Sequence, residues 1–137
     1  MQIRVFRESD ESAVIELWRA VSPCTAPHHD PATSIRKKLA VDPELFFVAE
    51  MDGAVVGTVM GGYDGHRGWI YSVAVRSAHR RQGIGTALMR RGEAALAERG
   101  CLKINLQVLT SNPAAVPFYE TLGYCVEERI SMGKRLY

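Results

Sequence analysis

The chain is poor in the residues and runs that mark specialised classes of protein. Its 137 residues hold three cysteines, six prolines and a formal net charge of only +2. Cys24, Cys101 and Cys125 are odd in number and show no CxxC spacing, which argues against a disulfide framework and against a zinc knuckle. Cys101 and Cys125 each open an apolar stretch and read as small hydrophobes. His28, His29 and Asp30 are adjacent, so their side chains diverge; they read as a solvated loop, and no metal is expected. Basic residues are scattered rather than blocked, which excludes a general nucleic-acid coat. Long hydrophobic runs are missing too. The longest, Leu45 to Ala49, falls far short of the roughly 18 residues of a bilayer span. Arg4, Arg7 and Glu8 charge the opening segment, which therefore lacks a signal-peptide apolar stretch. A cytoplasmic chain with no membrane partner is the expectation.

What is present suits one core. A hydrophobic content of 47% in a chain of this length is enough for a single domain over residues 1–137, folded without staples. Residues 2–6 alternate, with Ile3 and Val5 inward, and read as a short strand. Ser9 or Asp10 offers a helix N-cap, and Val14, Leu17, Trp18 and Val21 line one helical face. Pro23, Pro27 and Pro31 punctuate a loop from 22 to about 33, and a short helix follows with Ile35 and Leu39. Leu45–Met51 and Ala54–Tyr63, joined by Asp52-Gly53, read as a hairpin with a type I′ turn. Trp69–Val75 adds a third antiparallel strand.

A helix over 84–99 then buries Ile84, Ala87, Leu88 and Ala95, and Gly100 closes it. Lys103–Leu109 alternates as a strand. Asn112-Pro113 reads as an N-cap and N1 proline of a helix running to Leu122, closed by Gly123. Tyr124–Val126 and Ile130–Leu136 supply the last one or two strands. The expected fold is α+β, an α/β three-layer arrangement with a mixed, mainly antiparallel central sheet flanked by helices. Its order is β-α-α-β-β-β-α-β-α-β-β.

The segment Val73-Ala74-Val75-Arg76-Ser77-Ala78-His79-Arg80-Arg81-Gln82-Gly83-Ile84-Gly85-Thr86 carries the chemistry. A strand, a basic turn, two glycines and a helix start make an anion cradle. Glycine lets backbone N–H groups converge, the helix N-terminus adds partial positive charge, and Arg80 and Arg81 add full charges. A pyrophosphate suits it. A dinucleotide fingerprint would need a third glycine where Leu88 stands, and would follow the first strand. A P-loop would need a lysine after Gly85, where Thr86 stands. A plain glycine-rich turn with arginines in water remains the alternative on these residues alone.

Arg80-Arg81-Gln82-Gly83-Ile84-Gly85 resembles the Q/R-x-x-G-x-G/A signature of the GNAT superfamily of acyl-CoA-dependent N-acetyltransferases. The element order is also similar to that family's. Asn112 followed by Phe118-Tyr119-Glu120-Thr121-Leu122-Gly123-Tyr124 resembles its second signature. Val55 to Gly68 further resembles a small bacterial member.

The resemblance implies acetyl-CoA as cosubstrate and an amine acceptor. It implies that Val73, Ala74 and Val75 run beside the pantetheine arm, near a β-bulge, with the Val73 N–H stabilising the tetrahedral oxyanion. Arg80, Arg81, Gln82, Gly83, Ile84, Gly85 and Thr86 would hold the pyrophosphate. Asn112 would contact the cofactor, a role compatible with N-capping. Tyr119 matches the general acid that protonates the coenzyme A sulfur; on spacing alone it reads as a core aromatic beside Ala115 and Leu122.

One position departs from the family pattern. Gln107 stands where relatives that acetylate protein N-termini often carry a glutamate base. A lysine amine near pKa 10.4 is only about 0.1% neutral near pH 7.4, a penalty of roughly 4 kcal/mol, whereas an α-amine near 7.8 is about 30% neutral. Without a strong base the chain leans toward a low-pKa amine, or toward a water wire ending at Glu50, Asp64 or His66. The acceptor is expected at the first two helices, at the loop 22–33 with Pro23, His28, His29 and Asp30, and at the turn from Tyr63 to Arg67.

Two rival readings share these residues. Gln107 favours a non-catalytic acyl-CoA sensor, against which Tyr119 weighs. An RNA- or nucleotide-binding patch at Arg80-Arg81 lacks stacking aromatics and overall charge, so no nucleic-acid partner is expected. The edge strands expected at the C-terminus leave room for a homodimer.

Overall fold

A computed structural model of the chain describes residues 1–22 and 26–137; Pro23 and Cys24 lie outside the described residues. Contacts divide it into two compact units, Met1–Gln107 and Val108–Tyr137.

The first unit is built on a five-stranded sheet in the order β1-β2-β3-β4-β5. β1 (Gln2–Val5), β2 (Phe46–Met51), β3 (Ala54–Tyr63) and β4 (Gly68–Val75) pair antiparallel in succession, and β5 (Ile104–Asn105) joins β4 in parallel. Asp52 (φ 52°) and Gly53 (φ 79°) are both left-handed, as the type I′ hairpin between β2 and β3 requires. Phe46, Phe47, Val48 and Ala49 are all buried, because β2 is covered on both faces.

One face carries α1 (Glu11–Val21) and α2 (Pro31–Val41), whose Val14 and Ile35 pack with Phe6, Phe46, Val48 and Met60. The other carries α3 (Ile84–Glu98), on which Ile84, Leu88, Gly92 and Leu96 recur every fourth residue against the sheet. Met89 and Leu96 join the buried stripe, while Ala87 and Ala95 sit at its half-buried margin. Gly100, left-handed at φ 86°, follows the helix end as expected.

Several expectations shift at the element ends. Val5 is exposed and Phe6 is buried in its place. The Phe6 N–H donates to the Phe46 carbonyl at 2.8 Å, and the two rings stack at 4.4 Å, drawing the chain in one residue later. The Asp10 carboxylate is spent on the Arg7 N–H and on Arg4 rather than on capping α1. α2 starts at Pro31, inside the expected loop, because Asp30 accepts from the Thr33 N–H and Pro31 has no N–H to lose at the first helical position.

The strand expected over 103–109 shrinks to Ile104–Asn105. Its ladder with β4 covers only Gly68 and Trp69, and among the described residues no strand pairs with 106–109.

The second unit holds α4 (Ala115–Thr121). A helix from Pro113 would need the Pro117 N–H to reach the Pro113 carbonyl, and Pro117 has none. Val116 N–H takes that carbonyl instead, at 3.2 Å, and the helix starts late enough to keep Pro117 in its first turn. Gly123, at φ 96°, closes it as expected. The one or two strands expected last do not form: no strand is assigned among the described residues 124–126 or 130–136, and Val126, Ile130, Met132 and Leu136 are exposed. Alternation specifies a strand only where a neighbour supplies the ladder. The C-terminal edge strands behind the homodimer expectation are thus not formed. Cys125 is exposed rather than a buried hydrophobe, and Cys101 is half-buried against the backbone at Gly68. No helix among the described residues is long and apolar enough to cross a membrane.

Candidate active site

In the first unit the candidate residues share one continuous stretch, β4 and the turn that follows it. Val75 pairs with Gly57 and Ala74 with Thr58, but Met60 pairs with Tyr71. Two steps on β3 therefore face three on β4, a β-bulge at Ser72-Val73, with Ser72 left-handed at φ 54°. β5 accompanies β4 only at Gly68 and Trp69. From Tyr71 to Val75, β4 has β3 as its sole strand neighbour among the described residues, so its second edge is open.

The chain then passes a short turn at Ser77–His79 and enters the cradle. Arg81 (φ 64°) and Gly83 (φ 79°) are both left-handed, an alternation that turns successive N–H groups toward a common concavity. Gly83 is the N-cap of α3 and brings no capping side chain. The N–H groups of Ile84, Gly85 and Thr86 belong to the first helical turn, where no intrahelical acceptor exists, and they carry the positive end of the helix dipole. Arg80 and Arg81 are exposed, and neither side chain has a hydrogen bond or ion pair within the described residues. Arg76, four residues upstream, is engaged with the Val55 carbonyl and Glu16. The turn thus presents two uncommitted cations beside a set of uncommitted donors. Two surface clefts, of about 250 and 410 Å3, are lined by other residues.

In the second unit Asn112 is exposed, and its carbonyl accepts from the Ala115 N–H at 3.2 Å. It precedes α4 by a turn instead of capping it. Tyr119 sits on α4, half-buried, with Phe118 edge-on at 5.0 Å and Tyr124 at 6.1 Å. Its hydroxyl has no hydrogen-bond partner among the described residues, and burial pushes the phenol above its ordinary value near 10. The group therefore keeps its proton at neutral pH.

The candidates for a base are unequal. Glu50 lies 3.4 Å from the Arg4 guanidinium. Asp64 accepts from the Arg67 and His66 N–H groups at 2.8 and 2.7 Å, which lowers its pKa and makes it a weak base. His66 is exposed, as are Gln107, His28 and His29. Asp30 serves as the α2 N-cap.

Sequence reasoning placed Trp18 on the inner face of the first helix without a further role and passed over Thr58 and Ser72. The signal for Thr58 was there: it is the one hydroxyl between Val55 and Gly62 in an otherwise apolar strand, and a buried hydroxyl needs a partner. Ser72 gave no comparable signal.

Comparison with known proteins places the chain first by class. The acetyltransferase (GNAT) family profile matches residues 12–124, and the chain belongs to that family, whose members use acetyl-CoA. It is 48% identical over 136 residues, 99% of its length and 96% of the relative's, to Acetyltransferase YE1169 of Yersinia enterocolitica. Among solved structures it resembles Ard1 from Thermoplasma volcanium, with a TM-score of 0.80 and 29% identity over 92% of this chain and 83% of that one. It also resembles Naa20 of Chaetomium thermophilum in complex with a bisubstrate analogue, with a TM-score of 0.76 and 28% identity over 92% and 72%. The chain is an N-acetyltransferase.

Proposed function

We propose that the chain transfers an acetyl group from acetyl-CoA to a primary amine of low pKa, a small molecule or a peptide N-terminus, by direct attack through a tetrahedral intermediate. The observation that carries this reading is the open edge of β4, bulged at Ser72-Val73 and running directly into a cradle with two unpaired arginines. In this reading the cradle from Arg80 to Thr86 binds the pyrophosphate, and Val73, Ala74 and Val75 pair with the pantetheine amides as a missing strand would. The Val73 N–H stabilises the oxyanion. Asn112 contacts the cofactor.

Tyr119 gives its proton to the departing sulfur. From a phenol held above 10 to a thiolate near 8.5, that transfer is uphill by at least about 2 kcal/mol, and a thiolate leaving into a desolvated environment narrows the gap. With Gln107 unable to accept a proton, the acceptor must arrive largely neutral, which favours an α-amine over a lysine. The reaction takes place in the cytoplasm.

The test is thiol release from acetyl-CoA across small amines, amino acids, antibiotics and N-terminal peptides, run beside Tyr119→Phe. Turnover that drops sharply in the variant is the expected result. No binding of acetyl-CoA to the wild-type chain would sink the reading.

A further inference from the structure

A serine at positive φ is strained by about 1–2 kcal/mol, so the Ser72 bulge persists only because something holds it. Two hydrogen bonds do so. The Thr58 hydroxyl donates to the Ser72 carbonyl at 2.8 Å, and the Thr58 oxygen accepts from the Trp18 indole N–H, also at 2.8 Å. Thr58 is fully buried. The direction of this relay has no alternative, because an indole N–H only donates and a carbonyl only accepts. It ties α1, β3 and β4 together at one point.

The consequence lies in the next peptide group. The Ser72 carbonyl and the Val73 N–H belong to a single rigid plane, and with no cis peptide bond in the described chain they point in opposite directions. Holding the carbonyl on Thr58 therefore aims the Val73 N–H away from Thr58. The hydrogen bond accepted by the carbonyl also polarises the plane and makes that N–H a stronger donor. Without Thr58, the plane beside a left-handed residue is free to rotate.

We infer that Thr58, assisted by Trp18, is a positioning residue for acetyl transfer: it locks the Ser72-Val73 peptide so that the Val73 N–H meets the thioester carbonyl oxygen. The inference rests on the proposed placement of the thioester along β4.

The experiment compares wild-type protein with Thr58→Val, Thr58→Ser and Trp18→Phe. Calorimetry gives the dissociation constants of CoA and acetyl-CoA, and isotope-edited infrared difference spectra give the carbonyl stretch of bound acetyl-CoA. The wild-type band is expected below that of free acetyl-CoA. Thr58→Ser keeps that shift, and Thr58→Val loses most of it while CoA affinity stays within about twofold, since the cradle is untouched. On any amine that the wild type acetylates, kcat of Thr58→Val falls about tenfold or more with the KM for acetyl-CoA little changed. Should Thr58→Val fail to fold, Trp18→Phe removes one link of the relay, keeps an aromatic ring against Phe46 and is expected to reduce the shift in part. A folded Thr58→Val, or in its absence a Trp18→Phe, with the wild-type band overturns the inference, as does a wild type that binds acetyl-CoA without any shift. A wild type that binds neither CoA nor acetyl-CoA overturns the proposed function, and the inference with it.

Discussion

Gly57 lies so close to Leu88 that a β-carbon at position 57 would stand 2.8 Å from the Leu88 Cδ1 and 3.0 Å from the Ala74 carbonyl oxygen. Strand β3 and the first turns of α3 are thereby in near contact, and the start of α3 is also the end of the cradle. Gly57→Ala should cost about 1–3 kcal/mol, since the neighbours on both sides are a packed leucine and backbone. Denaturant unfolding measures that loss. CoA affinity should fall with it, because Ile84, 3.3 Å from the added carbon, opens α3.

Gly83→Ala tests the cradle without touching the core. A β-carbon there meets nothing within 4 Å, but the residue is left-handed at φ 79°. Alanine strains this conformation by about 1–2 kcal/mol. The expected outcome is a modest fall in stability and a larger fall in CoA affinity, read by calorimetry, as the turn relaxes and its N–H groups diverge.

Arg4 and Asp10 form a two-pronged ion pair, at 2.8 and 2.9 Å, that is largely shielded from water. The Arg4 guanidinium, with help from the Arg7 N–H, holds the Asp10 carboxyl below its ordinary value near 3.8. The stabilisation is therefore fully present above about pH 4 and is lost as pH falls through the lower folded value. Asp10→Ala leaves Arg4 with Glu50 and the Val5 carbonyl, each more than 3 Å away, and should cost about 3 kcal/mol at neutral pH, flattening the acid limb of stability measured by denaturant unfolding from neutral pH downward.

Tyr119 gives the opposite sign. Burial raises its phenol above 10, so the folded chain keeps a proton that the unfolded chain has begun to lose. Its contribution is complete below about pH 10 and disappears as pH rises through the folded value. Tyr119→Phe should remove that alkaline loss in unfolding experiments. In the wild type, turnover should persist above pH 10 before its alkaline limb falls, and ultraviolet difference absorbance should report the phenol titrating there.

The interior of the fold was legible because burial leaves a periodic mark. The α1 face at Val14 and Leu17 and the 84/88 spacing of α3 follow from side chains that must face a core, while the Asp52-Gly53 hairpin follows from the positive φ its turn requires. Ends were harder to read. Val5 against Phe6 was decided by a ring stack across strands, and the start of α4 by a proline four residues downstream of another. Residues 124–136 alternate well enough for strands, yet alternation carries no information about whether a ladder partner exists. The cradle is a different case: its glycines and arginines alone also fit a plain turn in water, and it was the resemblance to the family signature that singled them out as a proposed pyrophosphate site. The bulge beside Val73 was expected only through the resemblance: nothing at Ser72 itself marks it, and the Thr58 hydroxyl that bonds its carbonyl lies fourteen residues earlier on another strand.

The open edge of β4 also bears on how the protein behaves in solution. Unpaired backbone donors and acceptors along a strand are a template for any other extended chain, including a second copy or a nascent polypeptide. The kink at Ser72 breaks that edge into short pieces, which limits how long a foreign strand can pair with it. On the proposed placement of acetyl-CoA along this edge, bound ligand would cap it, so aggregation of the protein should slow as CoA is added.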